Sequence, residues 1–245
     1  MSAPTATLRF PLRLAGLDLG AGEVARLAGQ HGLSPCALGD AIGGDGALVA
    51  VARSLDGDRA RQALRAGARA LVELDGGGLP PTALDAAARG LELHLSLSTG
   101  TAFSLDTAAL VAGALAERCP PAGAKLHEIE VTLHEALTNA VVHGNLGLTG
   151  GPSDDPGAFS AFYDEVRRRL SDPARAARRV EIEAGWDGGF LEISVADQGD
   201  GYEPAASSTA SVSAKSGRGL QIMRELASAV CIGDGGRRLT LRFAR

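Results

Sequence analysis

The chain has few aromatic residues and few cysteines, and both shortages restrict what it can be. Aromatic side chains make up 4% of its 245 residues, so a core must be built mainly from Ala, Leu and Val. Its cysteines, Cys36, Cys119 and Cys231, are far apart and show no C-x-x-C spacing. We therefore expect free thiols in a reducing compartment, with a metal site or a disulfide as the alternative.

Long apolar runs and an excess of positive charge are missing as well. No segment approaches the roughly 20 apolar residues that cross a bilayer, and the N-terminal MSAPTATLRFPLRL lacks the apolar run of a signal peptide. The net charge of −5 provides no general attraction to nucleic acid. These features predict a cytoplasmic protein that binds neither membranes nor nucleic acid.

The first part of the chain alternates short apolar runs with amphipathic segments. The runs at 47–52 and 68–74 are typical of buried parallel strands, and helical patterns follow them at 56–67 and 80–93. This alternation predicts a small α/β domain with a parallel sheet over residues 1–92.

The second part, 93–245, is predicted to form the other domain. Its strongest periodic signal is a helix over about 124–143, whose apolar residues form one buried stripe. The other predicted elements are helices at 104–119, about 159–170 and 219–230, and strands at 93–98, 180–186, 190–197, 229–232 and 237–243.

The long helix carries the segment HEALTNAVVHGN, residues 134–145. Glu135 and Asn139 are spaced i, i+4, so a carboxylate and an amide stand on one helical face beside the apolar stripe. Taken alone, this pattern is equally typical of an exposed surface helix.

Two further polar motifs follow it along the chain. Asp197 ends a predicted strand and is followed by Gly199 and Gly201, which would allow a close backbone approach to a ligand. Gly217 and Gly219 stand at the start of a predicted helix, where free N–H groups suit phosphate oxygens. Each motif alone is also explained by an ordinary turn or helix cap, but their order and context make the combination specific.

Together these segments resemble the N, G1 and G2 boxes of the GHKL-type ATP-binding domain shared by gyrase, the heat-shock chaperone, sensor histidine kinases and mismatch-repair ATPases. The boxes would be E-x-x-x-N-A-x-x-H-G at 135–144, D-x-G-x-G at 197–201 and G-x-G-L at 217–220. Within that family the chain looks most like the bacterial anti-sigma-factor serine/threonine kinases. The resemblance implies an α/β fold of the Bergerat type, an α+β sandwich in which helices cover one face of a mixed sheet.

The resemblance also implies a role for each matched residue. Asn139 would coordinate the Mg²⁺ that bridges the ATP phosphates, and Glu135 would act as general base or orient a water or substrate hydroxyl. Asp197 would accept a hydrogen bond from the adenine amine. Thr240 would lie near the adenine, and His143 would lie near the nucleotide or else cap the helix end.

The glycine-rich segments would surround the nucleotide. Gly199 and Gly201 would let the backbone crowd it, and a lid of about residues 203–216 would close over it. The residues placed at the phosphates by the resemblance are Gly217, Arg218, Gly219 and Leu220. The G2 box lacks the extra glycine of many histidine kinases, which leaves nucleotide affinity and lid closure open.

The function implied is that of a bacterial signalling regulator that binds Mg-ATP and phosphorylates a partner protein on Ser or Thr. Whether it is an enzyme remains open, because a non-catalytic ATP-gated binding module and a phosphorelay scaffold are alternatives. The partner would be a regulatory protein: an anti-sigma antagonist, a sigma factor or a receiver protein. A homodimer is compatible with the resemblance.

Two regions depart from a minimal serine kinase. The segment 147–177 is longer than such a kinase needs, and arginines in and just after it form either a solvated basic face or a docking site: Arg167, Arg168, Arg169, Arg175, Arg178 and Arg179.

Residues 46–74 resemble the latter half of a response-regulator receiver, without its terminal Lys-Pro. This second resemblance implies a degenerate receiver-like module for docking or dimerisation; an unrelated small α/β domain is the alternative.

Overall fold

The computed structural model describes residues 11–41, 46–76, 78–151, 155–201 and 218–244. The chain divides into two compact units: Met1–Leu97 with Ile182–Trp186, and Ser98–Glu181 with Asp187–Arg245. The first unit thus includes a strand segment from the second half of the chain. The division into 1–92 and 93–245 stays a prediction.

The first unit is built on parallel strands connected by amphipathic helices. Its elements are β1 (Leu12–Gly16), α1 (Ala21–His31), β2 (Ser34–Pro35), a 3₁₀ turn (Gly39–Ala41), β3 (Ala47–Ala52), α2 (Gly57–Arg65), β4 (Ala68–Glu73), α3 (Pro81–Arg89) and β5 (Leu93–Ser98), with part of β6 (Arg179–Asp187). The strand order is β2-β1-β3-β4-β5-β6, and the pairs from β1 to β5 are parallel. The strand and helix alternation predicted from the sequence is thus present.

The sheet of the first unit holds together because its central strands are apolar along their whole length. Every residue of β3 is buried, as a strand covered on both faces requires. Helix α2 begins where the Asp56 carboxylate accepts N–H groups of Asp58 and Arg59. The Asp18 carboxylate accepts the N–H groups of Arg53 and Ser54, at 2.8 and 3.0 Å, and so ties the segment after β1 to the end of β3.

The second unit combines helices with antiparallel strands. Its elements are α4 (Thr99–Ser104), α5 (Thr107–Arg118), α6 (Pro120–Gly123), α7 (Leu126–Thr138), a π-helical segment (Asn139–Asn145), α8 (Pro156–Leu170), α9 (Pro173–Ala176), β7 (Phe190–Asp197), α10 (Arg218–Leu226), β8 (Ala229–Gly233), a 3₁₀ turn (Asp234–Gly236) and β9 (Arg238–Ala244). The strand order is β7-β9-β8, and both pairs are antiparallel. Each unit combines strands with helices, and the predicted α/β fold class is confirmed; the receiver-like character of the first unit stays a prediction.

Alternation along β7 and β9 creates one apolar face for the helices to cover. Leu191, Ile193 and Val195 alternate with more polar residues, and their partners Leu241 and Phe243 on β9 are buried with them. The buried stripe predicted for the long helix is present, with Ile129, Leu133 and Ala136 among its members, and α7 packs against α5 and α10. The π-helical segment that follows α7 packs against β7, so this packing positions the first polar motif.

Two predicted helices differ from the structure in detail. The helix expected at 104–119 is α5, which begins at Thr107 because Asp106 accepts the N–H of Ala109 at 3.3 Å; the separate short helix α4 precedes it. The helix expected at 124–143 begins at Leu126 and changes to π-helical geometry from Asn139 onward. Single π-helical turns inside longer helices often mark functional sites.

Candidate functional site

The first motif places Glu135 and Asn139 in successive turns at the end of α7, both half-buried. Asn139 opens the π-helical segment, in which Ala140, Val141 and Val142 are buried. The apolar side chains fix the segment from one side, and the polar pair stands beside them. The structure therefore keeps the carboxylate and the amide together, as the i, i+4 spacing predicts.

The side chain of His143 contacts the loop that follows this segment. Its Nδ1 lies 2.8 Å from the carbonyl oxygen of Leu148, and because a carbonyl can only accept, Nδ1 carries the proton. This bond ties the segment to the loop that follows it, and both roles expected for His143, near the nucleotide or as a helix-end cap, stay predictions. The ring also lines the cavity described below.

The second motif lies directly on the end of the first. A Cβ atom added to Gly144 would collide with the Asp197 carboxylate, and one added to Gly199 would collide with the backbone of Gly144. Only glycine at both positions permits this approach. Asn145 and Gln198 are 53 residues apart in the sequence. The Asn145 side chain nevertheless accepts the backbone N–H of Gln198 at 2.7 Å.

The Asp197 carboxylate is poised to accept a hydrogen bond. Burial raises its pKa to about 6, and the hydrogen bond from the Gly199 N–H to Oδ1, at 2.8 Å, opposes part of that rise. Arg237 and Arg178 also lower the pKa, while Asp234 raises it. At neutral pH the group is therefore ionised, and Oδ1 already has a donor.

The third motif meets the first at Glu135. Helix α10 begins at Arg218, and a Cβ added to Gly219 would collide with the Glu135 carboxylate. Leu220 follows in the first turn of the helix. Gly217 and the lid expected at about 203–216 lie outside the described residues.

The structure gives Gly201 and Thr240 neighbours within the protein itself. Gly201 has φ +83°, and a Cβ there would collide with the carbonyl of Gly235, so the tight approach at this glycine is to a neighbouring turn. Thr240 pairs with Ser194 on β7 and with Cys231 on β8. Since side chains alternate along a strand, Thr240 shares a face with Ser194 and not with Val195 and Asp197, and its place near the adenine stays a prediction.

A cavity of about 860 Å³ opens beside the first and third motifs. Glu135, Asn139, His143 and Gly219 line one end of it. It continues past the start of α5 to the aromatic side chains of α4 and α8, namely Phe103, Phe162 and Tyr163. The cavity is therefore larger than the polar cluster and joins it to an aromatic surface.

A model of the histidine kinase-like ATPase domain matches residues 99–243, more than half of the chain. The chain belongs to this family. No curated protein matches the chain. The three motifs that the structure brings together all lie within the matched residues.

The arginines of the histidine kinase-like ATPase domain do not form one basic patch. Arg169, Arg175 and Arg178 donate to the carbonyls that end the first motif, those of Asn145, Leu146 and Gly147, at 2.6–2.8 Å. Arg167 and Arg168 form surface ion pairs with Asp164 and Glu165, and Glu165 also pairs with Arg169. Part of the cluster therefore caps a helix end, which neither sequence-based interpretation anticipated.

Asn145 is the residue of the ATPase domain that the sequence analysis missed. It is fully buried, and its side chain reaches three separate segments. The sequence signal for Asn145 was the polar His-Gly-Asn ending of an otherwise apolar helix stripe. Its hydrogen-bond partners could not be predicted because they are far away in the sequence.

Other expectations concern groups outside this site. Cys36, Cys119 and Cys231 are free cysteines. Within the described ranges there is no group of three or more His, Cys, Asp or Glu side chains that could hold a metal ion. In the same residues, no helix combines the length and apolarity needed to cross a membrane.

Proposed function

We propose that the chain binds Mg-ATP and transfers the terminal phosphoryl group to a serine or threonine of a regulatory partner protein. The observation that carries this proposal is the contact of Glu135 with Gly219 at the start of α10, with Asn139 one turn further along the same cavity wall. A carboxylate thus stands where a helix N-terminus offers N–H groups to phosphate oxygens. Membership of the ATPase-domain family supports the binding of a nucleotide.

The residues present fit a magnesium nucleotide by their chemistry. Asn139 supplies a neutral amide oxygen and Glu135 a carboxylate, and hard oxygen donors are the ligands that Mg²⁺ takes. When bound through Asn139, Mg²⁺ would neutralise charge on the phosphates. Asp197, ionised at neutral pH and held at Oδ1 by Gly199, would use its other oxygen for the adenine amine.

In the proposed reaction, Glu135 takes the proton of the acceptor hydroxyl as its oxygen attacks the terminal phosphorus. The new oxygen–phosphorus bond forms while the bond from that phosphorus to the leaving ADP oxygen breaks. The protein mainly positions the reactants, as is general for phosphoryl transfer. Half-burial of Glu135 at the cavity wall leaves it reachable by both the nucleotide and an acceptor.

The acceptor would reach Glu135 along the cavity. Its far end carries aromatic rings, among them Phe103, which is exposed at 39%. Phe159, exposed at 47%, extends this aromatic surface, because its ring centroid lies 4.8 Å from that of Tyr163. This surface supports docking of a protein segment, such as one from an anti-sigma antagonist, a sigma factor or a receiver. It equally favours the second candidate, an ATP-gated module that binds its partner without phosphorylating it.

For the first unit we propose a degenerate receiver-like module that docks or dimerises. The order β2-β1-β3-β4-β5 with parallel pairing supports it, because flavodoxin-like sheets share that order. Arg53 and Ser54 follow β3, and their N–H groups hold Asp18. Such a module would not take a phosphoryl group.

The test replaces Glu135 by Gln and uses Glu128→Gln as the matched control. Glu128 lies on the same helix and does not line the cavity. Each variant is incubated in native lysate with ATP labelled at the terminal phosphate, then recovered with its partners, and phosphosites are read by mass spectrometry. In parallel, nucleotide affinity is measured by calorimetry.

The kinase proposal expects phosphoserine or phosphothreonine on a recovered partner with wild type and Glu128→Gln, and its loss with Glu135→Gln, while all three bind ATP. A partner recovered only with ATP but never modified would establish the gated module instead. Partner binding that is indifferent to ATP would point to a scaffold, and absence of ATP binding by the wild type would refute both nucleotide-dependent functions.

A further inference from the structure

Asn145 is placed where the first and second motifs meet. Its Nδ2 donates to Thr99 Oγ1 at 2.8 Å and to the carbonyl of Arg179 at 3.0 Å, and its Oδ1 accepts the Gln198 N–H at 2.7 Å. The side chain is fully buried and uses both its donor and its acceptor group. It therefore joins the end of the first motif to the start of α4, to β6 and to the turn after Asp197.

We propose that Asn145 is a positioning residue that orients the Asp197 carboxylate toward the base of the bound nucleotide. The inference rests on the proposed nucleotide binding. Asn145 would not touch the nucleotide itself but would act through the turn formed by Asp197, Gln198 and Gly199.

Two successive N–H groups determine the conformation of that turn. The Gln198 N–H points to Asn145 Oδ1, which fixes the peptide plane between Asp197 and Gln198. The Gly199 N–H points to Asp197 Oδ1, which fixes the carboxylate itself. With the plane and one oxygen held, the direction of the second carboxylate oxygen follows.

Only an amide of this length satisfies all three partners. The carbonyl of Arg179 can only accept, and the Gln198 N–H can only donate. The Thr99 hydroxyl already donates to the carbonyl of Arg178 at 2.8 Å, so it accepts from Asn145. An aspartate at this position would place a buried carboxylate oxygen against the Arg179 carbonyl, and a serine would be too short to reach all partners.

The orientation of Asp197 bears on which base is accepted. An ionised carboxylate accepts a hydrogen bond from the amine of adenine, whereas guanine presents a carbonyl oxygen at the same position of the ring. A site built for one hydrogen-bond pattern rejects the other because a buried polar group is left unpaired. If the turn loosens, both the affinity for ATP and the preference over GTP decrease.

The test compares Asn145→Ala with Thr99→Val in the full chain. Thr99→Val removes the hydroxyl, and with it one bond of Asn145 and one to Arg178, but leaves the bond to Gln198 in place. It thus serves as a control for loss of stability in the same network. Should Asn145→Ala fail to fold, Asn145→Ser takes its place.

Two measurements are made on each variant well below its unfolding temperature: the dissociation constants for Mg-ATP and Mg-GTP, and the hydrogen exchange of the Gln198 amide without nucleotide. We expect Asn145→Ala to weaken ATP binding by about ten-fold or more, to reduce the ATP-to-GTP preference, and to accelerate exchange at Gln198. Thr99→Val should leave the preference and the Gln198 exchange unchanged.

Equal loss of ATP preference in both variants would overturn the proposal, as would unchanged exchange of the Gln198 amide in Asn145→Ala. If the wild type binds neither nucleotide, the proposed function fails and the role toward the base fails with it. The exchange comparison still decides in that case whether Asn145 holds the turn, so the two failures remain distinguishable.

Discussion

Gly144→Ala is the substitution that most directly tests the joining of the first two motifs. The added Cβ would lie 2.7 Å from Asp197 Oδ2 and would collide with the rest of that carboxylate. Ordinary van der Waals contact begins at 3.4 Å, so this oxygen must retreat by about 0.7 Å. A hydrogen bond to the adenine amine near its usual length would then be stretched beyond bonding distance.

Loss of a hydrogen bond to a charged group costs about 1.5–3 kcal/mol, which corresponds to about 10- to 150-fold weaker ATP binding. The assay is calorimetric titration with Mg-ATP, accompanied by thermal unfolding of each variant. Gly113→Ala in α5 is the control, since a Cβ there meets no atom within 4 Å. That control should retain wild-type affinity and gain about 0.5–1 kcal/mol of stability, because Ala favours a helix over Gly.

An unchanged dissociation constant in folded Gly144→Ala would refute the placement of Asp197 against this glycine. Equal weakening in Gly113→Ala would show that the effect is not specific to the contact. If only Gly144→Ala unfolds, the result still supports the close approach of Gly144 and Asp197. That approach would then be tested in a crystal structure of the wild type, because an unfolded variant cannot report ATP affinity.

Two further outcomes follow from charges near the site. Because the pKa of Asp197 is raised to about 6, its ionised fraction falls as pH decreases through 6. ATP binding, titrated calorimetrically, should therefore be about ten-fold weaker at pH 5 than at pH 7. Asp197→Asn should retain only the pH dependence of the nucleotide phosphates, and a pH dependence identical to that of the wild type would contradict the assignment. Arg169→Ala should lower the free energy of unfolding in urea by about 1–3 kcal/mol, since it removes a donor from two backbone carbonyls as well as an ion pair with Glu165. Arg167→Ala removes only an exposed ion pair with Asp164 and should change the free energy of unfolding by less than about 1 kcal/mol. Equal changes in Arg169→Ala and Arg167→Ala would contradict the capping role of Arg169.

Elements with a strong local signal could be predicted from the sequence. The run ALVAVA forms β3 over the predicted residues 47–52, because an uninterrupted apolar segment of that length has few other stable placements. The i, i+4 pair Glu135 and Asn139 could be predicted to share a face for the same local reason. The three motifs were also correctly grouped through their order along the chain, and the family match covers all of them.

Features that depend on distant partners could not be predicted. The place of Thr240 depends on the register between β7 and β9, and a shift of one residue would have turned it to the other face. The importance of Asn145 depends on Thr99 and Gln198, which are 46 and 53 residues away. The break before α5 had a local signal in Asp106, but the sequence offered Ser104 as an equally good cap.

The arginine caps at the end of the first motif have a consequence for ionic strength. Added salt weakens interactions between exposed charges, such as those of Arg167 and Arg168, whose side chains are each 68% exposed. Arg169 is only 25% exposed and donates to backbone carbonyls, which salt screens far less. The segment from α8 to α9 should therefore stay attached to the end of the first motif in concentrated salt, while its outer face loses its ion pairs.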